Sequence, residues 1–342
     1  MFQEESAERD TFSPQALAGI LLSFAPFSAT IHLGTLQNNR AVGDRAMGAI
    51  HARRAAPFGI AAGIAAMLAA GPASASGSDV KIDEVTFGHP GGVPSYSLDA
   101  VRAGFRGVPR ITRSGLPPVL PFVDQVERRK RIFLKSVLPA VLKANADIRE
   151  ARSFLRTVQS TDVPRKFLPG VWRTRLRQME ARYHVEPGEM DKLLRRVDTV
   201  PPSLVLAQAA LETGWGTSRF AQLGNALFGQ HVTEAGAPGM VPNGLDNPGF
   251  KVRAFPTLEA AAAAYLHNIN NTTAYAELRR DRARARRQGE PLDSVELAGH
   301  LTDYSVRGED YVSDVRATIR ANDLRDFDDA RLVPGPSHVV QR

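Results

Sequence analysis

Cysteine is absent from this chain of 342 residues. Its absence excludes disulfide bonds, thiolate catalysis, zinc–cysteine sites and iron–sulfur clusters. The sequence also lacks the His-Glu-x-x-His motif of zinc peptidases, the Gly-x-Ser-x-Gly elbow of serine hydrolases, the phosphate loop of nucleotide-binding proteins and the Gly-x-Gly-x-x-Gly motif of dinucleotide-binding folds. We therefore expect no metal and no other cofactor.

Acidic residues are fewer than basic ones, 36 Asp and Glu against 43 Lys and Arg, which gives a formal charge of +7. This surplus favours anionic partners such as nucleic acid, acidic polymers or phospholipid surfaces. An arginine-rich run at residues 279–287 fits the phosphates of nucleic acid or, alternatively, a solvated helix surface. The hydrophobic content of 43% is that of an ordinary soluble protein with one large domain or two smaller ones.

A long membrane-spanning run is also missing from the N-terminal part. The apolar stretch at residues 55–70 has about sixteen residues, fewer than the roughly twenty that cross a bilayer as a helix. It follows basic residues and precedes small ones, the order of a secretory signal peptide. We predict a signal peptide over 47–75 that starts near Met47 and a non-native extension over 1–46; a membrane anchor is the alternative. The mature protein is then periplasmic or secreted, without stable membrane insertion, and is expected to meet no nucleic acid.

The rest of the chain divides by composition and apolar periodicity. Residues 76–121 are rich in Gly, Pro and Ser and predict an irregular linker of low order. Apolar residues recur at three- and four-residue steps over 122–158, which predicts one helix or two kinked at Pro139. Short β-prone pieces among Gly, Pro and Asn over 226–255 predict a hairpin lobe. Further helices are expected over 168–183, 191–197, 203–214, 257–271, 274–287, 294–304 and 309–322. The expected domains are a helical subdomain at 122–198, a domain that carries the chemistry at 199–324 and a flexible tail at 325–342.

Glu212 is the only carboxylate in the helix predicted at 203–214. The positions three and four residues before it are Ala209 and Gln208, so the acid lies on a stripe of mainly small and apolar side chains. Removal from water disfavours the ionised form and raises the pKa of a carboxyl group, as proton donation near neutral pH requires. The alternative is a structural ion pair with a residue such as Arg219.

The sequence around Glu212 is similar to a known family. Residues 207–221 read AQAALETGWGTSRFA and residues 224–230 read GNALFGQ. These stretches resemble the signature of the glucosaminidase-domain proteins of glycoside hydrolase family 73, in particular their Bax-like branch. The resemblance covers about residues 125–324 and includes, in the same order, ERRK at 127–130, VLPAVL at 137–142, RVDTVPPS at 196–203, YLHNIN at 265–270, AYAELR at 274–279 and YSVRGEDY at 304–311.

The resemblance implies a mostly α, lysozyme-like α+β fold with a small β-hairpin lobe, and hydrolysis of the β-1,4 bond after N-acetylglucosamine in peptidoglycan. By position, Glu212 matches the catalytic acid, and Asn225 and Phe228 match residues that line the cleft. Tyr304 matches a tyrosine that faces the site and is expected to be catalytic; a buried structural tyrosine is the alternative.

Two more residues near Glu212 are expected to bind substrate. Trp215 lies between Gly214 and Gly216, which let the backbone turn closely, and its indole is expected to pack beside the acid or a sugar face. Gln208 lies on the same helical stripe as the acid. Both would contact the glycan.

Glycoside hydrolysis generally pairs the proton donor with a second carboxylate. The resemblance implies that this partner lies in the β-lobe, where the sequence between His231 and Phe250 offers Glu234 and Asp246. We predict Glu234 as the catalytic partner, because it is nearer the signature, and Asp246 as substrate-binding. A solvated loop acid is the alternative for either, and the 2-acetamido oxygen of the substrate would then attack the anomeric carbon instead.

The sequence thus predicts an exported peptidoglycan hydrolase, an endo- or exo-β-N-acetylglucosaminidase, whose partner is the glycan strand. Its basic charge would attract it to the anionic wall. A lytic transglycosylase on the same glycan is the first alternative, since it uses a single acid. A non-catalytic wall-binding module is the second, since the sequence does not fix the partner acid.

Overall fold

The computed structural model describes residue 92 and residues 94–234, 236–242, 249–335 and 337–340. The predicted N-terminal extension, the signal peptide and the start of the predicted linker lie outside these residues. Within them, no helix is both long enough and apolar enough to cross a membrane.

The described part of the chain is mainly helical, with short strands in two small sheets. This composition confirms the predicted mostly α class with a small β-lobe and is consistent with a lysozyme-like α+β domain. The α-helices are α1 Leu98–Arg102, α2 Val126–Ser160, α3 Gly170–Arg182, α4 Met190–Arg196, α5 Pro202–Thr213, α6 Arg219–Gly224, α7 Leu258–Asn271, α8 Ala276–Gln288, α9 Ser294–Leu297 and α10 Glu309–Ala321. The strands are β1 Ile111–Arg113, β2 His231–Val232, β3 Gly239–Met240, β4 Lys251–Arg253 and β5 His338–Val340.

Helix α2 runs unbroken for 35 residues, although Pro139 lies inside it. A proline removes one backbone hydrogen bond from a helix interior, so the continuity of α2 depends on other stabilising contacts. The helix packs against α5 and α7, and Phe133, Val137, Leu138 and Val141 are completely buried. Tertiary packing therefore holds α2 together across the proline, and the sequence alternatives of one helix or two resolve to one.

Helix α5 is almost entirely inside the protein. Residues 202–210 are buried, Leu211 is exposed and Glu212 is half-buried. The helix ends before Gly214, whose left-handed φ of 56° favours glycine. Only the last turn of this core helix, with Glu212, therefore reaches the surface.

The start of α5 is held by a carboxylate from the C-terminal part of the chain. Pro202 occupies the first turn, where a missing N–H costs nothing because helical donors are without partners there anyway. The two carboxylate oxygens of Asp328 accept bonds of 2.8 Å from the backbone N–H and from the hydroxyl of Ser203. Asp328 thus caps the helix N-terminus from a distant segment.

Strands β2, β3 and β4 form an antiparallel sheet in the order β2-β4-β3. His231 is paired with Val252, and Gly239 with Arg253. A side chain at Gly239 would come within 2.7 Å of the Cβ of Lys251, so glycine allows the close approach of β3 to β4. This small sheet confirms the predicted β-lobe.

The predicted linker and tail are more ordered than the sequence indicated. Strand β1 of the linker pairs in parallel with β5 of the tail. Leu98 of α1 and the following Val108 are buried in the core, and the Val108 backbone exchanges hydrogen bonds with Arg331 and Val333. These contacts join segments far apart in the chain, so no local periodicity reveals them.

Among the residues that the structure describes, one hydrophobic core extends from Leu98 to Ala330. It includes residues of both predicted domains, 122–198 and 199–324. The two segments therefore share a core in the structure rather than each forming its own.

Asp198 connects helices α2 and α8 within this core. The buried carboxylate forms ion pairs with Arg152 of α2 and with Arg282 and Arg286 of α8, and Arg282 is completely buried. The arginine run at 279–287 is therefore partly structural, where the sequence indicated a surface that binds phosphates or is only solvated.

Candidate active site

Glu212 combines partial burial with one hydrogen bond from the described part of the chain. Its Oε1 accepts a bond of 2.9 Å from the hydroxyl of Tyr311 in α10. Burial raises the pKa of the Glu212 carboxyl, and the Tyr311 bond opposes part of the rise. No ion pair within the described ranges involves Glu212. Arg219, the ion-pair partner that the sequence offered as an alternative, instead donates to the Val241 carbonyl at 2.9 Å. The carboxyl group is thus available to hold and donate a proton.

A chain of hydrogen bonds behind Glu212 fixes its orientation. The hydroxyl of Tyr265 in α7 donates to Gln208 Oε1, and Gln208 Nε2 donates to the Tyr311 oxygen at 3.0 Å. Tyr311 in turn donates to Glu212, so each donor in the chain points toward the acid. Three helices, α5, α7 and α10, therefore act together to position one carboxyl group.

Gln208 belongs to this chain and not to a surface that a sugar could touch. Its side chain has no exposed area, and both ends of its amide are engaged by tyrosines. The structure therefore places Gln208 behind the acid, where the sequence predicted a substrate contact. The stripe that suggested a substrate contact is the face of α5 that is buried in the core.

Gly229 lies beside the second oxygen of Glu212. A Cβ at this position would lie 3.2 Å from Glu212 Oε2, and the φ of Gly229 is +59°. Because Tyr311 donates to Oε1, the proton of the neutral acid resides on Oε2. The absent side chain of Gly229 leaves room next to the oxygen that carries the proton.

Tyr304 supports the site from one layer behind it. Its hydroxyl donates to the Phe228 carbonyl at 2.8 Å, and its ring stacks on Tyr311 with 5.3 Å between centroids. Phe228 stacks on Tyr265 at 4.1 Å. Both predicted site residues, Tyr304 and Phe228, are buried and hold the two tyrosines of the hydrogen-bond chain in place.

Asn225 and Trp215 have different surroundings. Asn225 is buried in a left-handed conformation, and its side chain donates to the carbonyls of Ser114 and Phe255 at 2.8 and 2.9 Å. It ties the loop after α6 to the segment after β1. Trp215 is half-buried with a φ of 58°, its ring meets Phe133 edge-on at 5.7 Å, and Lys130 Nζ lies 5.4 Å from the ring centroid.

The two candidate partner acids lie in the β-lobe. Glu234 is exposed in the loop after β2, and no contact in the described part of the chain joins it to Glu212. Asp246 lies outside the described residues. No group of three or more potential metal-ligating side chains occurs among the residues that the structure describes.

Tyr311 and Tyr265 are the site residues that sequence reasoning missed. Tyr311 belongs to the buried stripe of α10 together with Val312, Val315 and Ile319, and a buried tyrosine hydroxyl normally has a hydrogen-bond partner. That signal indicates a partner for the hydroxyl but not its identity. Only the fold shows that the partner is Glu212.

A mostly helical domain with one half-buried carboxyl at the end of a core helix is consistent with a lysozyme-like glycosidase. A family model for glucosaminidase, described as mannosyl-glycoprotein endo-beta-N-acetylglucosaminidase, matches residues 189–324. The chain is 33% identical over 196 residues to protein Bax of Escherichia coli strain K12, in an alignment that covers 54% of this chain and 66% of Bax. No solved structure gives a significant match. These matches confirm the predicted resemblance to the glucosaminidase-domain, Bax-like family, and the alignment spans just under two thirds of the length of Bax.

Proposed function

We propose that the protein is an exported peptidoglycan hydrolase that cleaves the β-1,4 bond after N-acetylglucosamine, with Glu212 as general acid. The observation that carries this proposal is the half-buried Glu212 carboxyl, whose pKa is raised by burial and whose orientation Tyr311 fixes. The match to a glucosaminidase family model supports a glycan substrate. The positive net charge favours an anionic wall polymer, and the signal peptide predicted at 47–75 supports export.

In the proposed reaction the proton moves from Glu212 Oε2 to the glycosidic oxygen while the bond to the anomeric carbon breaks. Tyr311 stabilises the carboxylate that remains, because it already donates to Oε1. Burial and the nearby Glu212 carboxylate raise the pKa of Tyr311 well above its ordinary value, so the hydroxyl stays neutral and keeps donating. The acid thus loses its proton without losing its orientation.

Positive charge at the anomeric carbon is stabilised in this proposal by Glu234, by Asp246 or by the 2-acetamido oxygen of the substrate. Glu234 is exposed in the loop after β2, and the paired carboxylates of glycosidases stand about 5–9.5 Å apart without touching. A lytic transglycosylase, which uses one acid and leaves an anhydro end, is the second candidate function, because Glu212 is the carboxyl that the described hydrogen-bond chain positions.

Replacement of the acid tests the proposal. In Glu212→Gln the proton donor is lost, and we expect wall clearing to fall by about 10²–10⁴-fold, the usual contribution of general acid catalysis. Turbidity loss of purified wall measures the rate, and co-sedimentation measures binding, which should persist. Glu296→Gln, at an exposed position in α9, is the matched control and should clear wall as the parent does.

The released ends separate the candidate functions. N-acetylglucosamine at the reducing end, identified by mass spectrometry, supports the proposed hydrolase, whereas anhydro-muramic ends identify a transglycosylase. Equal clearing by Glu212→Gln and the parent would reject Glu212 as the acid. Binding without any clearing by the parent would identify a non-catalytic wall-binding module.

A further inference from the structure

A basic pocket of 470 Å³ lies between helix α4 and the first turns of helix α8. Its volume falls in the ordinary range of small-molecule sites, about 300–1,000 Å³. Cations dominate its wall: one lysine and four arginines face a single carboxylate. The lining residues are Glu189, Lys192, Arg195, Arg196, Ala276, Arg279 and Arg280.

Only part of this positive charge is neutralised by neighbouring acids. Lys192 pairs with Glu189 at 2.8 Å, and Arg280 pairs with Glu277 at 2.8 Å. Arg195 and Arg279 form no ion pair with a carboxylate within the described ranges. Arg196 is attracted to Glu189, which already pairs with Lys192. The five lining cations therefore outnumber the two carboxylates paired with them, Glu189 and Glu277, by three.

Arg279 is the most constrained of these three arginines. Its side chain is 5% exposed, and Nη1 donates to the carbonyls of Ile269 and Thr272 at 2.8 Å each. Burial, followed by repulsion from nearby arginines that include Arg196 and Arg195, lowers the pKa of Arg279 to about 10. Buried charges are normally paired, because removal from water is costly without a partner. The carbonyls fix one nitrogen of the guanidinium but supply no negative charge.

We propose that this pocket binds a compact oxyanion with at least two negative charges, either a phosphate or a polycarboxylate. Guanidinium groups present planar pairs of donors that match both kinds of oxyanion. A ligand of this charge would neutralise the cations that the protein leaves without a carboxylate. The site involves α4 and α8 and none of the residues of the hydrogen-bond chain behind Glu212, so the proposal does not depend on the proposed hydrolase activity.

Calorimetric titration of the intact protein tests this proposal with phosphate, pyrophosphate and citrate as separate probes. Each titration is made at constant ionic strength with chloride as the background anion, because non-specific attraction is screened by salt. We expect saturable binding of one oxyanion per chain. Saturation by the phosphates alone identifies a phosphate site, and saturation by citrate alone identifies a polycarboxylate site.

Three variants connect the binding to the pocket. Arg195→Gln removes an exposed cation. The substitution keeps the backbone carbonyl of residue 195, which accepts a hydrogen bond from Arg282. We expect oxyanion binding to weaken about tenfold, because one charge-assisted contact is lost. Arg279→Gln should weaken binding at least as much, and its thermal unfolding is recorded to detect any loss of folded protein. Arg284→Gln, on α8 but outside the pocket, should bind as the parent does. No saturable binding by the parent, or equal affinity in Arg195→Gln and Arg284→Gln, would overturn the proposal.

Discussion

At the residue scale, two opposing effects set the protonation of Glu212. Burial raises the pKa of its carboxyl, and the hydrogen bond from Tyr311 lowers it. Burial comes from the core around α5, and the hydrogen bond comes from one hydroxyl of α10. Replacement of Tyr311 therefore removes the hydrogen bond and leaves the effect of burial.

In Tyr311→Phe we expect the pKa of Glu212 to rise further, because the ionised carboxylate loses its donor. A hydrogen bond to a charged group contributes about 1.5–3 kcal/mol, which corresponds to about one to two pH units. The acid then stays protonated to higher pH, and the alkaline limb of the kcat/KM profile for wall hydrolysis should move upward. Rates measured across acidic and alkaline buffers test this expectation.

Tyr304→Phe is the matched control for that experiment. Tyr304 is buried and stacks on Tyr311, but its hydroxyl donates to the Phe228 backbone and not to Glu212. We expect Tyr304→Phe to lose stability, about 1–3 kcal/mol for a buried acceptor without a donor, and to keep the parent's alkaline limb. Identical limbs in Tyr311→Phe and the parent would contradict the role assigned to Tyr311.

The predictability of this site differs from residue to residue. Glu212 is predicted as the acid from two signals together, a lone carboxylate on a stripe of mainly small and apolar side chains and the family signature around it; the stripe alone leaves a structural ion pair open. Its donor Tyr311 follows 99 positions later, and no local pattern relates the two. Gln208 shares the stripe of Glu212, but sequence periodicity does not show which residues of a stripe are buried behind the acid.

At the scale of secondary-structure elements, α5 is attached to the protein at both ends. Its C-terminal turn carries Glu212, and its N-terminus is capped by Asp328. Burial raises the pKa of Asp328 to about 6, although two bonds from Ser203 act in the opposite direction. The cap therefore makes the stability of the fold depend on pH.

The sign of that dependence follows from proton linkage. The folded chain binds a proton at Asp328 more tightly than the unfolded chain, so the contribution of Asp328 to stability is fully present below about pH 4 and is lost as the pH rises to about 6. Asp328→Asn cannot titrate. We expect the free energy of unfolding of the parent, relative to this variant, to fall between about pH 4 and about pH 6 and to level off above.

Urea unfolding at several pH values measures this difference. Asp124→Asn, which changes an exposed carboxylate, serves as the comparison and should follow the parent at every pH. If the unfolding free energies of the parent and Asp328→Asn differ by a constant amount from acid to neutral pH, folding does not shift the pKa of Asp328 and the prediction is wrong.

The two ends of α5 were predictable because each depends on one local residue. Pro202 favours a helix start through its fixed φ, and Gly214 favours a helix end because it adopts a left-handed φ. The pairing of β1 with β5 was not predictable. Each is a strand of three residues, and their hydrogen bonds join distant parts of the chain. Short strands that find distant partners leave no periodic signal.

At the scale of the whole molecule, one core within the described residues includes residues from Leu98 to Ala330. The proposed cleavage after Ala75 lies before the first of these residues, so the exported product keeps every core residue that the structure describes. N-terminal sequencing of the secreted or periplasmic product should begin near Ser76. A mature product that begins at Met1 would contradict the proposed export signal.

In the hydrogen-bond chain from Tyr265 through Gln208 and Tyr311, every donor is directed toward Glu212. Tyr311 stays neutral, so the interior of the protein cannot return a proton to the acid. Oε2 therefore regains its proton from the substrate side. In a retaining or acetamido-assisted route the water that attacks the anomeric carbon gives its proton to the Glu212 carboxylate, so the second half of the reaction restores the acid while the sugar is still bound.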